Sequence, residues 1–399
     1  MPEQADVWIL GGVRTGFGRF AGSLRETPVV DLGAAVVRGA LAASGVEPAQ
    51  VEALYLGMAM IMGGKMVPAR QVQVQAQLPL TVPSLTVDRA CCSGMTAVGV
   101  AYRNIAAGVA GLAVAGGMEN MSRTPYLLHE GRFGHKRGDW AMEDLLLLRS
   151  PISDRAIAQY VGEVALRYGV ERAEQDAWAW LSQQRYAAAL ARGVFAEEIL
   201  PIPVTLDGKS VEFGRDEQPR PDTTLERLAQ LRTVNGSPTV TAGNAPGLND
   251  GACALVLARA GAARASGAQP LARLLGYVEI AGDPEGSAYL PAVAIQRLLA
   301  QTGLSLEDVK LIEINEAFAA MPLVSSLELG GRDPARAAAL RERINVNGGA
   351  VAIGHPTGAS GTRVILTLAR ELRRRGGGIG VAAICGGFGQ TDAVAIAVD

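Results

Sequence analysis

The sequence is poor in the residues on which several classes of protein depend. Four cysteines in 399 residues do not make the disulfide framework of a small secreted domain, and three scattered histidines predict no metal site. A net charge of −2 provides no basic surface for nucleic acid. No apolar run has the length of a membrane span, and neither end shows a targeting signal. We therefore expect a cytoplasmic protein.

Glycine and small aliphatic residues are abundant instead. The chain has 49 glycines and an aromatic content of 5%, which is typical of α/β layering with tight strand–helix turns. Residues 111–117 and 378–387 each begin with glycine, continue as an apolar strand and contain a closing Gly-Gly pair. Each follows a predicted helix that starts at a Ser-Gly step, Ser93-Gly94 or Ser360-Gly361. The pattern predicts one unit used twice, in two similar halves.

Cys91 lies where a short apolar strand, residues 85–87, gives way to an Ala-rich helix over residues 96–107. The unpaired N–H groups and the dipole at the start of a helix favour a thiolate. A thiolate is the nucleophilic form of cysteine, so this position suits covalent catalysis.

Residues with catalytic chemistry also follow predicted strands in the second half. Asn315 and Glu316 end a buried strand, His355 lies in a glycine-rich loop, and Cys385 ends the last long strand. If equivalent strand ends of the two halves meet, Cys91, His355 and Cys385 share one pocket. There, histidine and cysteine form a thiolate–imidazolium pair, and the second cysteine transfers a proton.

Motifs along nearly the whole chain resemble those of the thiolase family. The four that would form the active site are Cys91-x-Ser93, Asn315-Glu316-Ala317-Phe318, Gly354-His355-Pro356 and Cys385-x-Gly387. The resemblance implies an α/β thiolase fold of two βαβαβαββ halves in a five-layer α-β-α-β-α arrangement. The halves would be residues 1–270 and 271–399, with a loop domain of about 119–247 inserted in the first.

The resemblance also implies an acyltransferase. The reaction would be cleavage of a 3-ketoacyl-CoA by coenzyme A, or the reverse Claisen condensation, with coenzyme A as substrate and no bound cofactor. Cys91 would carry the acyl group. His355 would take its proton and, with a water held by Asn315, bind the thioester oxygen. Cys385 would protonate the acetyl-CoA enolate, and the N–H groups of Cys91 and Gly387 would bind the oxyanion.

Coenzyme A contacts are implied for Arg220, Ala317 and Phe318, with Arg220 near the nucleotide end. The family resemblance further implies a homodimer or homotetramer. Cys92 and Cys253 are predicted to be packing residues.

Several positions depart from the family pattern. Asp88 stands where asparagine is usual, and a carboxylate there would oppose thiolate formation unless Arg89 neutralises it. Pro246 replaces a serine. The usual Met-Gly-x-Thr-Ala-Glu-Asn and Met-Gly-x-Gly-Pro stretches are replaced at residues 157–163 and 285–289. These changes leave the acyl specificity open.

Two other functions remain open at this stage. A 3-ketoacyl synthase of the same superfamily would pair its cysteine with two histidines, for which His129 and His135 are the only further candidates. A non-catalytic, coenzyme A-binding scaffold is the second alternative, because the substrate tunnel is altered.

Overall fold

The structure, a computed structural model, describes residues 6–399. Its strands are β1 (Val7–Arg14), β2 (Gly18–Arg19), β3 (Ala53–Gly57), β4 (Ser84–Val87), β5 (Leu112–Asn120), β6 (Tyr126–Leu127), β7 (Glu143–Asp144), β8 (Ile202–Leu206), β9 (Lys209–Phe213), β10 (Asn249–Arg259), β11 (Ala272–Ala281), β12 (Val309–Ile314), β13 (Gly378–Cys385) and β14 (Gln390–Val398). Its helices are α1 (Val29–Ser44), α2 (Pro68–Gln75), α3 (Ser93–Ala106), α4 (Ile157–Arg167), α5 (Arg172–Ala191), α6 (Leu225–Ala229), α7 (Ala260–Ser266), α8 (Leu290–Thr302), α9 (Ala320–Leu329), α10 (Pro334–Arg341), α11 (Ala350–Ile353) and α12 (Thr357–Arg374). Within residues 6–399, no helix is both long and apolar enough to cross a membrane.

The same strand arrangement occurs twice. The main sheet has the order β12-β13-β14-β11-β1-β10-β5-β3-β4. In one half β3 runs parallel to β5, and β10 lies antiparallel between β5 and β1. In the other half β12 runs parallel to β13, and β14 lies antiparallel between β13 and β11. Even the break in register recurs, between Ile9 and Gly11 and between Leu274 and Gly276. The prediction of two similar halves is confirmed.

Helices α3 and α12 form the middle of five layers. They pack against each other, and both contact strands on either side, whereas α1 and α2 cover one outer face and α8 and α9 the other. Strands β5 and β13 are buried on both faces, so they are continuous apolar runs rather than alternating ones. Helix α12 begins at Thr357, so the Ser360-Gly361 step lies one turn inside the helix and not at its start as predicted.

The segment between β5 and β10 carries α4 to α6 and two small hairpins. This segment is attached to β1 by the fully buried guanidinium of Arg14, the last residue of that strand. Arg14 Nε lies 3.2 Å from Glu198, and its Nη1 lies 2.7 Å from Asp216. A buried cation needs such partners, because removing it from water otherwise costs several kcal/mol.

Substitution of Gly117 by alanine should destabilise the fold. An added Cβ would overlap the carbonyl oxygen of Gly358 in the first turn of α12, so backbone and not a flexible side chain must move. We expect the free energy of unfolding to fall by about 3 kcal/mol. The melting temperature would be measured by differential scanning fluorimetry, with Gly261→Ala as control. A Cβ at Gly261, in α7, meets nothing within 4 Å, so that variant should melt no lower than the wild type. Equal melting of both variants would contradict the prediction.

Candidate active site

Cys91 lies in a tight turn, residues 89–93, between β4 and α3. Ala90 has a left-handed backbone with φ of 48°, which is uncommon for a residue with a side chain. The Ser93 hydroxyl stabilises the turn: it donates to Ala90 O and accepts from Arg89 N at 2.9 Å. As predicted, Cys91 is therefore held just before the N-terminus of α3. We call residues 89–93 the nucleophile turn.

The nucleophile turn is fastened to the second half of the chain. Arg89 Nε donates to Gln390 at 2.9 Å, and its Nη1 pairs with the buried carboxylate of Asp392. Cys92 Sγ donates to Ile384 O at 3.2 Å. A Cβ on Gly386 would lie 2.8 Å from that sulfur, so the two segments are in direct contact. Cys91 is thereby placed beside the end of β13.

Arg89, the residue that could have neutralised Asp88, is paired with other groups. Its guanidinium forms hydrogen bonds with Gln390 and Thr96 and ion pairs with Asp392 and Glu279. Asp88 instead accepts a hydrogen bond from Ala90 N at 3.0 Å, which makes it part of the turn.

The sulfur of Cys91 is electrostatically different from the expected thiolate. Burial raises the pKa of Cys91 above its ordinary value, and the neighbouring Cys385 and Glu119 raise it further. Its own backbone N–H opposes the rise without reversing it. Cys91 is therefore a neutral thiol in the resting protein, because removal from water outweighs the helix dipole.

His355 has a defined tautomer. The Ser360 hydroxyl donates its only hydrogen to Pro356 O at 2.9 Å, so it must accept from His355 Nδ1 at 2.7 Å. Nδ1 therefore carries the hydrogen, and Nε2 keeps its lone pair for a proton. Burial, together with the Arg363 guanidinium, lowers the pKa of His355 to about 3. The resting imidazole is neutral.

Asn315 contacts the basic nitrogen of His355. It follows β12 directly, and its Nδ2 lies 3.4 Å from His355 Nε2. On its other side, Arg363 Nη2 donates to Asn315 Oδ1 at 3.4 Å, and Arg363 Nη1 lies 3.5 Å from Glu313. The amide oxygen is thus occupied, which orients the NH₂ group toward His355.

The Glu119 carboxylate is hydrogen-bonded to the residues just after His355, and its charge also acts on Cys91. The buried carboxylate accepts from Thr357 Oγ1 at 2.7 Å and from Gly358 N at 3.0 Å, just after His355. Burial raises the pKa of Glu119 to about 7, and its charge also acts on Cys91. Glu119 therefore lies close to both the Cys91 sulfur and the turn that carries His355.

Cys385 and Gly387 complete the cluster. Burial raises the pKa of Cys385, and the Gly387 N–H and the Ser287 hydroxyl oppose that rise. The Gly387 N–H is thus directed toward the thiol, in a loop where Gly387 has a φ of 64°. A positive φ of this kind suits glycine, which lets the backbone approach the reacting atoms.

A cleft of about 180 Å³ opens on the side of the inserted segment. Arg220 lines it, as do Gly243 and Val351, and Val351 N donates to Glu316 beside Asn315. Ala317 and Phe318 lie partly buried in the core of the second half, next to the cluster. The cleft is connected to the residues after β12 through Val351, but Cys91, Asn315, His355 and Cys385 do not line it.

The remaining candidates lie elsewhere. His129 is exposed and contacts Glu143, and exposed His135 contacts Gly138 O, so each is bonded within the insertion. This does not support the pair of active-site histidines of a 3-ketoacyl synthase. Cys92 and Cys253 are fully buried packing residues, as predicted. In residues 6–399 no group of side chains could hold a metal ion.

Sequence reasoning missed Ser360, Arg363 and the role of Arg89. Ser360 and Arg363 follow His355 by five and eight residues, which places all three near the start of one helix. Helical spacing was the available signal for Ser360, but no local pattern indicates that Arg89 contacts β14.

Comparison with known proteins gives a consistent assignment. Residues 7–261 match the family model described as thiolase, N-terminal domain, and residues 268–398 match thiolase, C-terminal domain. The acetyl-CoA acetyltransferase of Pseudomonas aeruginosa is 42% identical over 401 residues, covering 99% of this chain and all of that one. The beta-ketoadipyl-CoA thiolase of Pseudomonas putida is 40% identical over 402 residues, covering 98% and 99%.

Solved structures agree in fold. The acetyl-CoA acetyltransferase of Bacillus anthracis superposes with a TM-score of 0.94 at 38% identity, with both chains fully covered. Human mitochondrial 3-ketoacyl-CoA thiolase in complex with CoA has a TM-score of 0.93 at 36% identity, covering 99% of this chain and 98% of that one. The chain is a member of the thiolase family.

Proposed function

We propose that the protein is an acyltransferase of the thiolase type. It cleaves a 3-ketoacyl-CoA of fatty acid metabolism with coenzyme A, or runs the reverse condensation, through an acyl-Cys91 intermediate. The observation that carries the proposal is the cluster itself: the turn of Cys91 contacts the residues on either side of Cys385, and His355 contacts Asn315.

In the first step, the Cys91 thiol gives its proton to His355 Nε2 and its sulfur adds to the 3-keto carbon. The neutral state of both groups suits this transfer, because His355 enters the step with a free lone pair on Nε2. The N–H groups of Cys91 and Gly387 receive the resulting oxyanion, and His355 and Asn315, with a water, receive the thioester oxygen.

In the second step, the bond between the second and third acyl carbons breaks. Its electron pair goes to the departing acetyl-CoA enolate, whose carbon takes the proton of Cys385. Coenzyme A then gives its thiol proton to the Cys385 thiolate and attacks the acyl group on Cys91. The Cys91 sulfur leaves and recovers its proton from His355, which restores the resting state.

The cleft lined by Arg220 would hold the nucleotide end of coenzyme A, with Ala317 and Phe318 along the pantetheine chain. The guanidinium suits phosphate oxygens. We further propose the division into halves 1–270 and 271–399 with an insertion at about 119–247, and a cytoplasmic location, where the reactive thiols stay reduced.

Self-association would occur through the edge of the sheet. Strand β4 is the last in the sheet order. Large apolar side chains around it are exposed: Met66, Val67, Leu80 and Leu85. An exposed apolar edge strand favours pairing with another chain. We propose a homodimer through this edge, or a homotetramer built from two such dimers.

Replacing Cys91 with serine should abolish turnover of acetoacetyl-CoA with coenzyme A, by a factor of about 10³ or more, because a serine hydroxyl is a far weaker nucleophile. Wild-type protein incubated with substrate should yield an acylated Cys91 peptide by mass spectrometry. Cys253→Ser, in the buried core, is the matched thiol control and should keep its activity. A wild type inert toward acyl chains of every length would favour the scaffold alternative instead.

The depressed pKa of His355 predicts an acid-dependent loss of stability. In the unfolded chain the pKa of His355 returns to about 6.5. The unfolded chain therefore binds a proton at His355 below that pH, whereas the native state binds it only near pH 3. The contribution of His355 to the free energy of unfolding is thus fully present above pH 6.5 and is lost as the pH falls toward 3. In His355→Asn the melting temperature should decline less steeply over this interval. Parallel curves for both proteins would contradict the assignment.

Replacing Leu85 with aspartate should shift the protein toward monomer, as measured by sedimentation velocity. The introduced charge would be desolvated at the proposed interface. Leu190→Asp, equally exposed on α5, is the control and should leave the mass unchanged. An unchanged mass for Leu85→Asp would exclude this edge as the interface.

A further inference from the structure

Two hydroxyl groups are buried near the reacting thiols without hydrogen-bond partners. Tyr160 and Ser287 are each 1% exposed, and within residues 6–399 neither oxygen makes a hydrogen bond. Buried polar atoms in folded proteins are nearly always paired, so each exception needs an explanation. Both residues fall in stretches where this chain departs from the family pattern.

Both hydroxyls lie around Cys385. Tyr160 is in the first turn of α4 and packs in the same core cluster as Cys385. Ser287 lies in the segment that leads from β11 into α8. That segment is attached to the loop after Cys385 by a hydrogen bond from Gly282 N to Gly389 O at 2.8 Å. Helix α4 and the segment before α8 thus both pack near the end of β13 that carries Cys385.

The Ser287 hydroxyl acts on the pKa of both Cys385 and Tyr160. It opposes the rise in the pKa of Cys385 caused by burial. It also opposes the rise in the pKa of Tyr160, which burial and then the charge on Cys385 produce. Tyr160 therefore stays a neutral O–H donor throughout the working pH range, and Ser287 can donate to one neighbour while accepting from the other.

We propose that the two hydroxyls become paired when Cys385 is deprotonated, with its sulfur as the missing partner of Ser287. Ser287 donates to the thiolate, and Tyr160 donates to Ser287 and acts through it as a positioning residue. Donors fixed in advance where charge develops stabilise that charge without reorganisation. The role in turnover rests on the proposed function, in which Cys385 is a thiolate only between cleavage and the entry of coenzyme A.

Apart from Cys91, which is alanine throughout the test, and the hydroxyl being varied, the groups facing Cys385 stay the same in every variant. The titratable neighbours are Cys91 and Cys92 from the nucleophile turn, with Tyr160 from α4. The charged groups on the adjoining elements are Asp283 and Glu285 on the Ser287 segment, Arg89 with Asp392 of β14, and Glu119 and His355 across the site. A difference between two variants in the same background therefore reports the hydroxyl alone.

The test measures the ionisation of Cys385 directly. In a Cys91→Ala background, the rate of alkylation of Cys385 by iodoacetamide is followed against pH, and the modified peptide is identified by mass. We expect Ser287→Ala to raise the midpoint by about one pH unit, the size expected for a lost hydrogen bond to a charged group. Tyr160→Phe should raise it by less. No acyl transfer is needed, so failure of the proposed function would not affect this result.

Matched variants separate this role from a structural one. Ser325 is a buried serine whose hydroxyl donates to Ala288 O at 2.9 Å, next to Ser287, so Ser325→Ala disturbs the same segment without touching the sulfur. It should leave the midpoint unchanged, and Ser287→Thr should restore it. Because the hydroxyls are unpaired in the resting protein, Ser287→Ala and Tyr160→Phe should not lower the melting temperature. An unshifted midpoint in Ser287→Ala, or an equal shift in Ser325→Ala, would overturn the proposal.

Discussion

The geometry of the site depends on a close contact between backbones at the starts of α3 and α12. A Cβ on Gly94 would lie 2.5 Å from the carbonyl oxygen of Gly358, and Thr362 Oγ1 donates to Gly94 O at 3.1 Å. This contact requires glycine because no side chain fits between the helices. One helix follows Cys91 and the other follows His355, so their crossing fixes how far apart the two halves hold these residues.

The same close packing determines whether the groups of the site are charged or neutral. A helix dipole contributes about 0.3–1 kcal/mol to a nearby negative charge, whereas taking a charge out of water costs several kcal/mol. Burial therefore dominates, and Cys91 and His355 are both neutral at rest. A neutral pair is consistent with acyl transfer, because charge then appears only when the substrate carbonyl is present to accept it. Burial likewise disfavours the charged form of Glu119 and raises its pKa to about 7.

The sequence was sufficient to predict the repeated halves and the location of Cys91, Asn315, His355 and Cys385, because strand ends and glycine-rich turns are local patterns. The five-layer arrangement was predicted from the resemblance to the motifs of the thiolase family. What sequence could not supply depends on tertiary burial. The contact of Arg89 with Asp392 joins residues 303 positions apart, and no local signal marks it. The expected thiolate was wrong for the same reason: the helix start was visible in the sequence, but the depth of burial was not.

Two of the four departures from the family pattern, residues 157–163 and 285–289, contribute the hydroxyls near Cys385. On the His355 side, the hydrogen bond that His355 Nδ1 donates to Ser360 fixes the tautomer, and the one that Arg363 donates to Asn315 fixes the orientation of the amide. On the Cys385 side, the substituted stretches bring two unpaired hydroxyls, and Glu285 is held by Arg155 at 2.7 Å. In the proposed reaction, the carbon that Cys385 would protonate is the same in every 3-ketoacyl thioester. In that reaction, a polar environment around Cys385 would alter how the proton is held without requiring a different acceptor.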